Sequence, residues 1–195
     1  MSEQRSDKIL VIGLGSPIMT DDAIGLEVVQ EIEDMHIPGV DTRQEAVGGL
    51  DIIPVLWGYR NAIIVDAIQT RQYDPGTIMF FNPEDFNDTI GDASAHDINL
   101  ATAMRIGREM EPDMMPDEVC FIAIEAEDIG TVNEGMTPKL VEAKPSAVRA
   151  VLHQLDRARH RKDRYTRRCH QQAGKTDRRG IRRYEEPHDA RRRDT

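Results

Sequence analysis

The chain has 195 residues and a formal charge of −10, from 25 Lys/Arg against 35 Asp/Glu, long enough for one domain with its own core. The charge is unevenly spread: residues 1–155 hold 10 Lys/Arg and 28 Asp/Glu, whereas residues 156–195 hold 15 and 7. An acidic body of this kind excludes general nucleic-acid binding by the main domain, because phosphate affinity rests on basic surface. No apolar run is long enough to span a bilayer, and MSEQRSDK lacks a signal peptide's apolar stretch, so a cytoplasmic protein with no membrane partner is expected. Cys120 and Cys169 form no disulfide framework or metal motif, and Cys120 is expected to be a small buried hydrophobe.

In chain order, Lys8–Ile12 is a short run rich in branched residues, the pattern of a strand covered on both faces. Gly13 and Gly15 allow a tight turn after it. Thr20 is a candidate N-cap, and Ile24, Val28 and Ile32 recur every four residues behind it, predicting a helix that starts at about Asp21 and runs to about residue 34. Asp21 and Asp22 then lie at the C-terminal edge of a sheet, where open α/β folds place their chemistry, although acids in a first helical turn also complement the helix dipole. Val40–Val47 is a weaker strand, and Leu50, Ile53 and Trp57 share a helical face over Leu50–Trp57.

Asn61–Asp66 is the second clear buried strand and again ends in an acid. Asp74-Pro75-Gly76 turns the chain into a strand at Thr77–Phe81, and the polar stretch Asn82–Ala95 reads as a loop, with His96 carried at its end. A helix over Asn99–Met110 and a last central strand over Glu118–Ile124 follow. Thr137 and Pro138 supply an N-cap and a first-turn proline for helical sequence to about Leu155, which Pro145 should divide or kink. From Asp156 onward Ile181 is the only aliphatic residue larger than alanine, so residues 156–195 are expected to be a mobile basic tail beside a domain of residues 1–155. The tail is either an electrostatic arm for an acidic partner or a dispensable extension.

Strands alternating with helices imply a largely parallel sheet covered on both faces. Right-handed crossovers put the C-terminal ends of most strands on one edge, so Asp22 and Asp66, with His96 from the loop, can meet at one crevice. Two carboxylates and an imidazole suit a borderline divalent metal such as nickel, zinc or iron; each residue alone has an ordinary structural reading as a cap or a solvated side chain. Gly13-Leu14-Gly15 is not a dinucleotide fingerprint, since Ile18 stands at the third glycine and acids at the helix mouth repel a pyrophosphate. No G-x-S-x-G elbow is present, so hydrolysis here would use water activated by a metal or a carboxylate.

Taken together and in order, GLGSPIMTDDAIG (13–25), GGLDIIPVL (48–56), IIVDAI (63–68), SAHDINL (94–100) and TPKL (137–140) resemble the motifs of the hydrogenase maturation proteases, over roughly residues 8–155. These endopeptidases remove a C-terminal extension from the large-subunit precursor of nickel–iron hydrogenases. The resemblance implies a phosphorylase/hydrolase-like three-layer α/β/α sandwich on a mainly parallel twisted sheet. It also implies that Asp22, Asp66 and His96 are the catalytic and metal-binding set. The nickel would arrive with the large-subunit precursor, the expected partner, rather than being held tightly by the free protease. Whether the metal takes part in cleavage or serves recognition alone stays open, as does the oligomeric state.

Two features depart from the family. Ser16 replaces the usual asparagine, which could loosen one loop hydrogen bond, and the arginine-rich tail has no counterpart. Two other functions compete. GLGSP also resembles the opening of the peptidyl-tRNA hydrolases, an RNA-acting alternative, though the asparagine and the following histidine of that family are missing. A non-catalytic, metal-dependent assembly factor would use the same ligands for recognition alone.

Overall fold

A computed structural model describes residues 5–81, 95–160 and 182–184. Its strands are β1 (Ser6–Leu14), β2 (Val40–Glu45), β3 (Tyr59–Ile68), β4 (Ile78–Phe81), β5 (Glu118–Glu125) and β6 (Arg182–Arg183). Its helices are α1 (Ile24–Asp34), α2 (Ile53–Leu56), α3 (Ala95–Met110) and α4 (Pro138–His160), with 3-10 turns at Thr20–Ala23 and Gly49–Ile52 leading into α1 and α2. The polar stretch 82–94 and the tail residues 161–181 and 185–195 lie outside the described residues.

The strands form one sheet in the order β2-β1-β3-β5-β4-β6. β2, β1, β3 and β5 are mutually parallel, and β4 is antiparallel to both β5 and β6. Alternate side chains of each strand face opposite layers. Ile9 and Val11 join Ile63, Val65, Ile122 and Ile124 in a core with α1 and α4. Leu10 and Ile12 join Ile64, Phe121 and Met79 in a second core with α2 and α3. The result is the α/β/α sandwich on a mainly parallel sheet that the alternating pattern predicts. Residues such as Leu10, Ile12, Ile64 and Ile122 have no exposed surface, which is why the central strands read as unbroken apolar runs.

The order of connections sets the crevice. From β1 the chain crosses through α1 to β2 on one side, and from β2 it returns through α2 to β3 on the other side of β1. The chain thus leaves β1 toward β2 and leaves β3 toward β4 and β5, and between these diverging exits a crevice opens at the C-terminal ends of β1 and β3.

Three local expectations change. Leu50 and Trp57 are 52% and 37% exposed, while Ile52, Ile53 and Leu56 are buried. The 3-10 start at Gly49–Ile52 advances about 120° per residue rather than 100°, which shifts the buried face by one position. Pro145 does not divide α4. The N–H it lacks would have bonded the carbonyl of Val141, whose side chain is half exposed, so that carbonyl lies on the side where water can take over. Finally, three tail residues return to the sheet. Arg182 and Arg183 pair with Phe80 and Met79, the Tyr184 N–H donates to the Ile78 carbonyl at 2.9 Å, and the Tyr184 ring meets Phe80 edge-on at 5.9 Å.

Candidate active site

The turn that brings Asp22 to the sheet edge depends on close backbone contact. A Cβ on Gly13, inside β1, would lie 2.3 Å from the Gly25 carbonyl oxygen, and one on Gly25 would meet the carbonyls of both Leu14 and Val65. The start of α1 is therefore seated against the seam between β1 and β3. Gly15 has φ +137°, and a Cβ there would stand 1.8 Å from the Asp22 carbonyl oxygen. The glycines that resemble a nucleotide fingerprint are thus used to press α1 onto the sheet. Asp22 is half-buried, and its Oδ2 accepts the Ser16 N–H at 2.7 Å. That donor belongs to the backbone, so this loop bond does not depend on which side chain stands at position 16.

Asp21 has a different role from its neighbour. It has no exposed surface, and its carboxylate accepts four hydrogen bonds. Oδ2 receives the N–H groups of Glu127 and Asp128 at 3.0 and 2.9 Å and the Thr137 hydroxyl at 3.1 Å, and Oδ1 receives the Thr137 N–H at 2.7 Å. All four donors come from the connection between β5 and α4. A carboxylate so fully engaged has little left to offer as a base or a ligand. Thr20 likewise does not cap α1. It starts the 3-10 turn with φ +32°, and its hydroxyl donates to the Thr131 carbonyl at 2.7 Å. Thr137 does precede α4 as expected, but its hydroxyl donates to Asp21.

Asp66 lies within β3, only 5% exposed, with Oδ1 accepting the Ala67 N–H at 2.8 Å. It follows Val65, whose carbonyl touches Gly25, and the Thr20–Ala23 turn packs against β3, so Asp22 and Asp66 flank the same seam. The sequence reading missed a second acid on that face. Glu125, at the end of β5 and 1% exposed, shares its facing with Asp66, because Asp66 pairs with Ala123 and Ile68 with Glu125. Its carboxylate accepts the Thr70 hydroxyl at 2.8 Å and the Arg71 N–H at 2.6 Å. Burial pushes its pKa above the ordinary 4.5, against the opposing pull of those two hydrogen bonds. The only sequence signal was an acid ending an apolar strand, the same one that marked Asp66.

His96 sits in the first turn of α3 rather than in a loop, and its side chain lies outside the described residues. The C-terminus of α3 lies near the start of β5, where Gly58 donates to Met114 and Asp117 to Arg60. A 16-residue helix is about 24 Å long, which carries its N-terminal turn toward the opposite, C-terminal edge of the sheet. The spacing Ser94-x-x-Asp97 is a capping-box pattern that marks such a start in the sequence. Among the described residues no three His, Cys, Asp or Glu gather closely enough to hold a metal ion. Asp22 and Asp66 alone supply hard carboxylate donors at one edge, and a borderline ion would need nitrogen donors in addition.

The chain matches the model of the HycI hydrogenase maturation protease family over residues 45–154, a span that contains Asp66 and His96. The Hydrogenase 2 maturation protease of Escherichia coli (strain K12) is 27% identical over 157 residues, covering 76% of this chain and 90% of that protein. Among solved structures, the hydrogenase maturating endopeptidase HybD from E. coli superposes with a TM-score of 0.65 at 25% identity, covering 77% of this chain and 93% of HybD. The [NiFe] hydrogenase maturation protease HybD from Thermococcus kodakarensis shares the fold, with a TM-score of 0.63 at 20% identity over 76% of this chain and 99% of that one.

Proposed function

The chain belongs to the hydrogenase maturation protease family, and from that premise we propose that it removes the C-terminal extension of a nickel-loaded hydrogenase large-subunit precursor, recognising the nickel that the precursor carries. The observation that carries this reading is the placement of Asp22 just after β1 and of Asp66 near the end of β3, on the two sides of one seam, at the switch point where open α/β sheets bind their ligands. His96, in the first turn of a helix packed on the Asp66 face, would be the nitrogen donor. With the family shown, the RNA-acting alternative falls away.

A protease that inspects a metal already fixed in its substrate does not need a tight site of its own. Two carboxylates and an imidazole complete the coordination of nickel held by the precursor, so a metal-free precursor binds less well. The Asp22 and Asp66 carboxylates are held in place by backbone N–H groups, which orients them before substrate arrives. Either can accept a proton from an attacking water at the edge of the crevice. The nickel belongs to the substrate, where it would supply Lewis acidity at a neighbouring carbonyl if it takes part in cleavage as well as in recognition.

The test is incubation with nickel-loaded and nickel-free precursor, followed by mass spectrometry of the large subunit. The expected result is shortening of the loaded form alone, lost in Asp22→Asn, Asp66→Asn and His96→Ala. Failure to shorten the loaded precursor, or unchanged cleavage by His96→Ala, overturns the reading. Precursor binding without shortening would instead assign the chain as an assembly factor.

A further inference from the structure

The loop that carries Asp22 also displays apolar side chains that no core requires. Ile18 is 51% exposed and Pro17 beside it is exposed, while Val132, on the connection after β5, is the most exposed large apolar residue described, at 72%. The two loops are joined by their backbones. Asn133 donates to the Ile18 carbonyl at 3.0 Å, Thr20 donates to the Asn133 carbonyl at 3.1 Å, and Asp21 donates to the Asp128 carbonyl at 3.0 Å. The buried Asp21 carboxylate and the Thr20 hydroxyl fasten the same pair of loops from beneath. Ile18 and Val132 are therefore held next to one another in sequence register, one on each side of a two-loop seam.

We propose that this platform, residues 16–19 with 131–134, is the surface on which the precursor protein docks, through an apolar patch of the precursor adjoining its C-terminal extension. The proposal rests on the protease reading and extends it to the partner's chemistry. Asp22 lies three residues beyond Met19 and accepts the Ser16 N–H, so a folded protein presenting a peptide bond to Asp22 meets this loop beside it. Because the loops are already ordered by one another, presenting Ile18 and Val132 costs no further backbone entropy on binding, the condition under which a few apolar anchors carry most of an interface. The platform's charge narrows the partner further. Residues 16–23 and 126–137 contain no Lys or Arg, Glu134 is exposed beside Val132, and Glu127 is already ion-paired with Lys139 at 2.9 Å, so the complementary face is apolar at its centre with a basic group opposite Glu134.

The experiment uses the full chain with Ile18→Asp and Val132→Asp, and Met110→Asp as a control. Met110 is 63% exposed at the end of α3, near the opposite edge of the sheet. Cleavage kinetics on nickel-loaded precursor are measured alongside calorimetric binding, so that loss of docking is told apart from absence of protease activity. The expected result is a rise of about tenfold or more in KM and in Kd for each platform variant, with kcat and melting temperature held and Met110→Asp unchanged. Wild-type Kd in both platform variants overturns the proposal, as does an equal loss in Met110→Asp. If the wild type binds precursor but does not cleave it, the protease reading fails and the Kd comparison still decides the platform.

Discussion

Removing the Asp21 carboxylate should cost more stability than any other acid-to-neutral change at this edge. Asp21→Ala strands the N–H groups of Glu127, Asp128 and Thr137 together with the Thr137 hydroxyl. Hydrogen bonds to a charged group contribute about 1.5–3 kcal/mol each, and a stranded buried donor costs about 1–3 kcal/mol. The four share one acceptor and the vacated space admits water, so they do not add. A total of about 3–5 kcal/mol follows, comparable with breaking a buried ion pair, and a loss of roughly 10 °C in Tm for a domain of this size. Asp21→Asn can set its oxygen in the Oδ2 place, accepting the Glu127 and Asp128 N–H groups and the Thr137 hydroxyl, but it then turns an NH2 group toward the Thr137 N–H, so it recovers only part of the loss. Urea unfolding followed by far-ultraviolet circular dichroism measures both variants. A cost below about 1 kcal/mol for Asp21→Ala would refute the assignment of Asp21 as a structural fastener. Wild-type stability with complete loss of turnover in Asp21→Asn would make it the general base instead.

Three further outcomes follow from single positions. Gly15→Ala must fit a Cβ against the Asp22 carbonyl at a φ that L-residues avoid, and should lose about 3 kcal/mol or more in the same unfolding measurement; wild-type stability would contradict the packing of the turn. Glu125 binds its proton more tightly when folded than when unfolded, so the native state holds more protons above pH 4.5 and stability falls as pH rises through that window. Glu125→Gln can still accept from Arg71 and donate to the Thr70 oxygen, so its stability should be flatter between pH 4.5 and 8; a parallel pH profile for variant and wild type would count against it. Pro145→Ala in the exposed middle of α4 restores one helical N–H and should stabilise by about 1–3 kcal/mol, and a loss of stability would mean the ring packs against something essential.

The central strands and the acidic edge were legible because their causes are local. Four or five consecutive branched residues such as Ile9–Ile12 have few alternatives to a strand covered on both faces, and the order of strands and helices then brings Asp22 and Asp66 to one edge. What could not be read depends on partners far away in the chain. Asp21 and Asp22 are equivalent in any local pattern. They differ only because residues 106–116 positions downstream donate to one of them. Glu125 shares a face with Asp66 only because β5 lies beside β3 with Ile68 opposite Glu125, a pairing that no local pattern carries. Leu50 and Trp57 fit a helical period, but the 3-10 turn at Gly49–Ile52 does not obey it. The antiparallel sense of β4 left no trace in its four apolar residues, since either direction buries them equally.

The seating of Arg182–Tyr184 along β4 also bears on how this protein can be handled. The sheet has two margins. β2, with the sequence VDTRQE, guards one with charged and polar side chains that discourage a neighbouring strand. β4, with the sequence IMFF and every residue buried, has no such guard of its own, and the returning tail occupies its outer hydrogen-bonding row. A shortened protein lacking Arg182–Tyr184 would expose a flat, aromatic margin to its neighbours in solution. Solubility at high concentration, more than catalysis, is then the property that would register the tail's removal first.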